Sequence, residues 1–408
     1  MRWLVAGVLL ITACGPLQTR PADSRVPAPS PTVSLAAPTT PSPSPRPGAS
    51  AAQSAEPNGS GSLLFAALEA IGTVSQNQWN TVVIAGLDGY ARAKATFAPM
   101  PKPYVCGGDP VLPMSAHVIG GVAYYADGMG TVRSLSTDGK ITQVATFPLT
   151  SSQQLFSFAV SPDGSRLLAT LFTLPDKPSS GDTCGGWMLV PGDFSLDVYS
   201  AQRGGAGRLL YHQSLHQTTT DMPKVMELAG WDQLGPIGTS PTSWAGNAPV
   251  LRYLGVPVRV NAETGEVLNQ ISDPQSCGVW DMAPTGDFVC APAGVGDISV
   301  RRPDGIELWR ARSQPPDLYY YSLLAPDEEH VIALDSGLPY PGSKVLGSDG
   351  TPTTMPDKFW HSGWLDSNTV IGYRTDRNLG NLGYVSLSAP GTMVDLGFYG
   401  MFVGAVHS

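Results

Sequence analysis

Charge is scarce in this sequence. Asp, Glu, Lys and Arg make up 14% of its 408 residues, where roughly 25% is usual for soluble proteins. The 24 Lys and Arg stand against 33 acids, for a formal net charge of −9, and no cationic run is longer than Arg301-Arg302. A nucleic-acid surface needs clustered cations to neutralise phosphates, so nucleic acid is excluded as a partner. Helix-forming composition is lacking too. Long helices place straight-chain charged residues on their wet face and tolerate little Gly or Pro, whereas Gly and Pro here number 46 and 38. That excludes a coiled coil and a helix-rich fold. The apolar stretch Trp3 to Ile11 falls well short of the ~20 residues that span a bilayer. Motifs with a fixed chemistry are also missing: there is no Gly-x-Ser-x-Gly, His-Glu-x-x-His, P-loop or strand-linked Gly-x-Gly-x-x-Gly. No two cysteines stand in a Cys-x-x-Cys spacing, so neither a metal nor a cofactor is expected.

What is present begins at the amino terminus. Met1-Arg2, the short apolar run and the small residues Thr12-Ala13 before Cys14 read as a secretory signal. The ending Ile11-Thr12-Ala13-Cys14 resembles the lipobox of bacterial lipoproteins. The resemblance implies cleavage after residue 13, lipidation of Cys14 with diacylglyceryl and acyl chains such as palmitate, and attachment to the membrane. Two or more chains anchor stably where one is marginal. From 14 to 61 the chain is rich in Pro, Ser, Thr and Ala, and holds 11 of the 38 prolines. Such a segment has no hydrophobic period to bury and reads as an extended tether with a reach on the order of 100 Å.

Residues 62–408 change character. Short β-branched and aromatic runs alternate with turns such as Leu87-Asp88-Gly89, Thr137-Asp138-Gly139, Pro303-Asp304-Gly305 and Ser348-Asp349-Gly350, which are hairpin signals. Counting glycines 89, 139, 204, 265, 305, 350 and 391, the turn recurs seven times at steps of 40 to 65 residues. A second turn type precedes several of them, as at Ser161-Pro162-Asp163-Gly164 and Pro284-Thr285-Gly286-Asp287. Two hairpins per unit make four strands. Four-stranded antiparallel units repeated seven times predict an all-β, seven-bladed β-propeller; two β-sandwich domains are the rival architecture. The run Ser161-Pro-Asp-Gly-Ser-Arg-Leu-Leu-Ala169 resembles the first hairpin of TolB-like and WD-repeat propellers, although the repeats are degenerate and no Trp-Asp pair ends a unit. The final Met401–Val406 is expected to supply the innermost strand of the unit that starts near Ser62, closing the ring.

Besides Cys14, the cysteines are 106, 184, 277 and 290. In an exported chain they suggest two disulfides. Cys277 and Cys290 flank one hairpin and are expected to pair, leaving Cys106 to Cys184. His212 and His216 fall on a strand end rather than a helix face, which argues against a metal pair. Glu328-Glu329 reads as a solvated turn. The candidate ligand-binding residues are Trp231, Asp232, Trp280, Asp281, His361 and Trp364, all on or beside expected innermost strands. Tryptophan faces beside carboxylates suit sugars or cations, while the same residues could instead pack between blades and cap turns. Among Tyr319-Tyr320-Tyr321, strand alternation leaves at least one ring exposed. The expected function is that of a monomeric, lipid-anchored, non-enzymatic binding or scaffold module, exposed outside the cytoplasmic membrane, for a protein or other cell-envelope ligand. The alternative is a propeller hydrolase or lyase acting on extracellular glycans or peptides, since the fold hosts both classes.

Overall fold

A computed structural model describes residues 63–70, 78–104, 112–176, 192–217, 227–239, 257–271, 277–291, 297–312, 319–335, 342–375 and 381–407. All of them lie in one compact unit, Ser60–Ser408. The signal segment, Cys14, the tether, Cys106 and Cys184 fall outside the described residues.

The strands fall into seven sheets. β1 (Leu64–Glu69), β2 (Thr81–Gly86) and β3 (Ala91–Thr96) belong to blade 1. Blade 2 is β4 (Ala116–Ile119), β5 (Val122–Ala126), β6 (Thr131–Leu135) and β7 (Ile141–Thr146). Blade 3 is β8 (Gln154–Val160), β9 (Arg166–Thr173), β10 (Gly192–Gln202) and β12 (Arg208–Gln217), with the two-residue β11 (Gly205–Ala206) lying parallel to β7 of blade 2. Blade 4 is β13 (Glu227–Asp232), β14 (Gly235–Thr239), β15 (Val258–Val260) and β16 (Val267–Gln270). Blade 5 is β17 (Gly278–Met282), β18 (Phe288–Ala291), β19 (Ile298–Arg301) and β20 (Glu307–Ala311). Blade 6 is β21 (Tyr319–Leu324), β22 (His330–Asp335), β23 (Gly342–Gly347) and β24 (Pro352–Thr354). Blade 7 is β25 (Phe359–Asp366), β26 (Thr369–Arg374), β27 (Asn381–Ser386) and β28 (Met393–Tyr399). β29 (Met401–Val406) returns to blade 1 and pairs antiparallel with β1, Leu64 opposite Val406 and Leu68 opposite Met401. The result is a seven-bladed β-propeller whose ring is closed by the last strand.

Packing explains why the sequence reads as it does. Middle strands are covered on both faces, so β2 (Thr-Val-Val-Ile-Ala-Gly) is buried along its whole length. Outer strands such as β3 alternate exposed and buried residues. Seven hydrophobic clusters each join two neighbouring blades. One brings Phe65 and Val83 of blade 1 onto Leu365, Ile371 and Phe398 of blade 7, and another brings Ala95 and Phe97 onto Tyr125 and Leu135. First strands of successive blades touch, β4 on β8, β8 on β13, β17 on β21, β21 on β25, β25 on β29 and β29 on β4, which puts them at the centre of the ring.

The two turn families lie at one end of the blades. In the outer hairpins, aspartate accepts a backbone N–H two residues on: Asp88 from Tyr90 at 3.1 Å, Asp138 from Lys140 at 3.1 Å, Asp304 from Ile306 at 3.0 Å and Asp349 from Thr351 at 2.9 Å. The glycine that follows has φ near +80° in each, where a side chain is strained. In the first hairpin of blade 3, Asp163 accepts from Ser161 Oγ at 2.6 Å and Ser165 N at 3.1 Å, and these bonds hold its pKa down at about 2.

Candidate functional site

An innermost strand has one edge paired with the next strand of its blade and one edge turned to the ring centre. That free edge carries backbone donors and acceptors that need partners. Side chains from neighbouring blades supply several of them. Ser157 Oγ on β8 accepts Leu228 N on β13 at 2.7 Å. Asp281 Oδ2 on β17 accepts Leu324 N on β21 at 2.9 Å. Trp364 Nε1 on β25 donates to Leu323 O at 3.1 Å, and His361 Nε2 meets Tyr321 O at 2.6 Å.

The candidate residues from the sequence divide accordingly. All six stand on innermost strands. Asp232 is 3% exposed and grips Arg259 with both oxygens, at 2.5 and 2.6 Å, while capping Leu234 N at 2.8 Å. Trp231 is half-buried against the cluster between blades 3 and 4. Asp281 and Trp364 are buried and serve the blade-to-blade bonds just described. His361 is buried, with Nδ1 on Ser343 Oγ at 2.9 Å. Burial pushes its pKa down to about 4, so at neutral pH the ring is uncharged. Trp280 remains half-buried.

Trp280 starts a run of rings. It meets Tyr321 edge-on, with centroids 5.5 Å apart and planes at 76°. Tyr321 stacks on Trp360 at 6.3 Å, and Trp360 stacks on Tyr373 at 6.1 Å. The first three rings come from blades 5, 6 and 7 and are each half-buried. Tyr373 is buried, which lifts its hydroxyl pKa to about 12. Sequence reasoning picked out Tyr321 within its Tyr triplet but missed Trp360 and Tyr373. Strand alternation could not have found the arrangement. β21 carries an irregularity between Tyr320 and Leu323, and Tyr321 has φ 50°, so the two-residue period is broken there.

Other sequence candidates resolve differently. Cys277 and Cys290 are linked, with Cα atoms 5.2 Å apart. His212 and His216 each face an aspartate across the hairpin, Asp197 and Asp193, at 2.6 Å. Glu328 is not simply solvated: it is half-buried and accepts Thr285 Oγ1 of blade 5 at 2.8 Å. Desolvation raises its pKa. Trp309 Nε1 of blade 5 donates to Glu328 O at 2.9 Å, locking the same two blades. A further carboxyl with a shifted pKa lies on an innermost strand. Glu227, half-buried at the start of β13, is pushed up to about 7 by desolvation and receives Thr239 Oγ1 at 3.3 Å.

No protein-family model and no curated protein matches the chain. Among solved structures it is similar to Pyrococcus horikoshii acylaminoacyl peptidase, at 12% identity and TM-score 0.47, over 82% of this chain and 53% of that one. It is also similar to TolB from Acinetobacter baumannii, at 15% identity and TM-score 0.36, over 68% and 62%. A third is the C-terminal WD40 domain of Sif2, at 13% identity and TM-score 0.39, over 74% and 77%. The chain spans about half the length of the peptidase. These likenesses are ones of fold and carry nothing about activity. The propeller itself rests on the seven sheets, and it agrees with the TolB-like and WD-repeat character of the hairpins.

Proposed function

We propose that this chain is a non-enzymatic binding module, a monomer lipidated at Cys14 and held on the extracytoplasmic face of the membrane, which recognises a protein or other envelope ligand. One observation carries the binding part. At the ring centre, three of the groups suited to acid–base work, Asp232, Asp281 and His361, are each engaged in bonds within or between blades, and Glu227, with its raised pKa, is the fourth and the seat of the enzyme alternative. The side chains left half-exposed beside them are the aromatic rings of Trp280, Tyr321 and Trp360. Such a surface suits recognition, in which aromatic rings contribute much of the binding energy.

The anchor is tested by fractionation. Cys14→Ala should move the protein from the membrane to the soluble fraction, and membrane retention after that change would refute the lipid anchor. The ligand is sought with the full-length protein as bait in detergent-solubilised envelope extract. A partner lost on Trp360→Ala supports binding at the ring centre. Turnover of a glycan or peptide that is abolished by substituting Glu227 would point to the enzyme alternative.

A further inference from the structure

We infer that the Trp280–Tyr321–Trp360 run is a docking site for a proline-rich, polyproline II segment of a partner polypeptide. This deepens the binding reading above and rests on its ligand-recognition part, not on the lipid anchor.

Three acceptors on these strands are in use: Asp281 Oδ2 serves Leu324 N, Tyr321 O meets His361, and Leu323 O meets Trp364. The buried side-chain atoms without a hydrogen-bond partner among the described residues include Trp280 Nε1 and Ser322 Oγ. These two belong to the same aromatic run or to the residue next to it. Indole Nε1 can only donate, and a hydroxyl can donate. A buried donor without a partner is costly, so its presence here calls for a ligand that brings acceptors. A sugar brings several hydroxyl donors, and of the open atoms only Ser322 Oγ could accept from them, since Trp280 Nε1 cannot. A proline-rich strand brings carbonyls almost alone, because proline has no N–H. Its pyrrolidine rings fit between flat aromatic side chains, and it is ordered before it binds, which lowers the entropic cost.

Backbone geometry singles out the same place. Tyr321 is one of only three non-glycine residues with positive φ among the described residues, and it sits where β21 departs from its regular pairing. Such strain in a bulky residue concentrates at functional positions. The strained residue is also the one whose ring crosses Trp280 at 76°. Trp280 Nε1 is shut off from solvent. A shift of Tyr321 out of its strained conformation is the motion that would admit a ligand carbonyl to it.

The test uses the detergent-solubilised full-length protein and three probes: decaproline, a glycine–serine decapeptide and chitohexaose. Decaproline should bind saturably by calorimetry and change tryptophan emission, and the glycine–serine peptide should not. Loss of one ring contact should weaken decaproline about tenfold in Trp360→Ala, equivalent to about 1.4 kcal/mol, while Trp360→Phe stays within about threefold of the parent. Tyr321→Gly, which accepts the positive φ and removes the ring, should weaken binding at a temperature where circular dichroism shows the variant folded. No saturable decaproline binding, undiminished binding by Trp360→Ala and Tyr321→Gly relative to the parent, or binding of chitohexaose in its place would each overturn the proposal. Membrane retention of Cys14→Ala would defeat the anchor and leave this result intact.

Discussion

At the residue scale, polar side chains near the ring centre act chiefly as latches within and between blades. Within blade 4, Asp232 of β13 and Arg259 of β15 make the most buried ion pair among the described residues, at 3% and 8% exposure. Removing one partner strands the other as a buried charge, which costs on the order of 3–5 kcal/mol. Asp232→Asn should therefore lower the urea midpoint strongly, and replacing both residues with apolar ones of similar size should recover most of the loss. If Asp232→Asn melts like the parent, the pair is not structural. His361 adds a pH dependence. Its folded pKa is about 4, below the unfolded value near 6.5, so between those values the unfolded chain holds more protons. Stability should then fall as pH drops from about 6.5 to 4 and level off below, by a few kcal/mol at most. Glu227 has the opposite sign. Its folded pKa is raised to about 7 from the ordinary 4.5 of a glutamate, so its contribution is lost as pH rises across that window. Melting curves of Glu227→Gln and the parent should coincide at pH 4.5 and separate at pH 8, with the variant the more stable. A variant equally stable at both values would rule out the raised carboxyl.

At the element scale, the outer hairpin is the repeated device, and its glycines are not equivalent. Gly89 and Gly305 both have positive φ, at 77° and 84°. A Cβ on Gly89 would stand 2.2 Å from Leu396 O of blade 7, whereas one on Gly305 would meet nothing within 4 Å. Gly305→Ala should cost only the backbone strain, about 1 kcal/mol, and Gly89→Ala clearly more, because backbone on the neighbouring blade must move. Equal melting temperatures for the two would show that the close approach is not real. These hairpins were the part of the fold most legible in the sequence, because Asp-Gly imposes its geometry locally, whatever surrounds it. The innermost strand of blade 1 could be anticipated too, since the apolar run Met401–Val406 follows the last hairpin with no partner of its own and needs an edge to join. The site was harder to read. Trp231-Asp232 and Trp280-Asp281 look alike in sequence, yet one aspartate meets an arginine two strands away and the other a backbone N–H on the next blade. Which group lies across a blade interface depends on registers that no local pattern encodes. Trp360 escaped notice for that reason, since only the bulged path of β21 brings Tyr321 onto it.

At the scale of the molecule, closure turns a row of repeats into a ring. An open array is stabilised by neighbour contacts, so its ends can fray independently. Here β29 removes the ends. It completes the sheet of blade 1 through five residue pairs with β1, and Phe402 and Val403, 4% and 1% exposed, enter the clusters on the two sides of that blade. Phe402 also lies against Gly363 of β25, where an added Cβ would stand 2.2 Å from the Phe402 ring, so blade 7 is shaped to receive it. Two changes separate packing from closure. Phe402→Ala keeps the strand and leaves a cavity, which should cost about 3–5 kcal/mol within a single cooperative transition. Ending the chain after Tyr399 removes the strand, bares the inner edge of β1 and uncouples blades 1 and 7. That truncated chain should unfold over a broader denaturant range or aggregate through the exposed edge, as followed by circular dichroism and light scattering. A truncated protein that melts as sharply as Phe402→Ala would mean that the ring's cooperativity does not depend on its last strand.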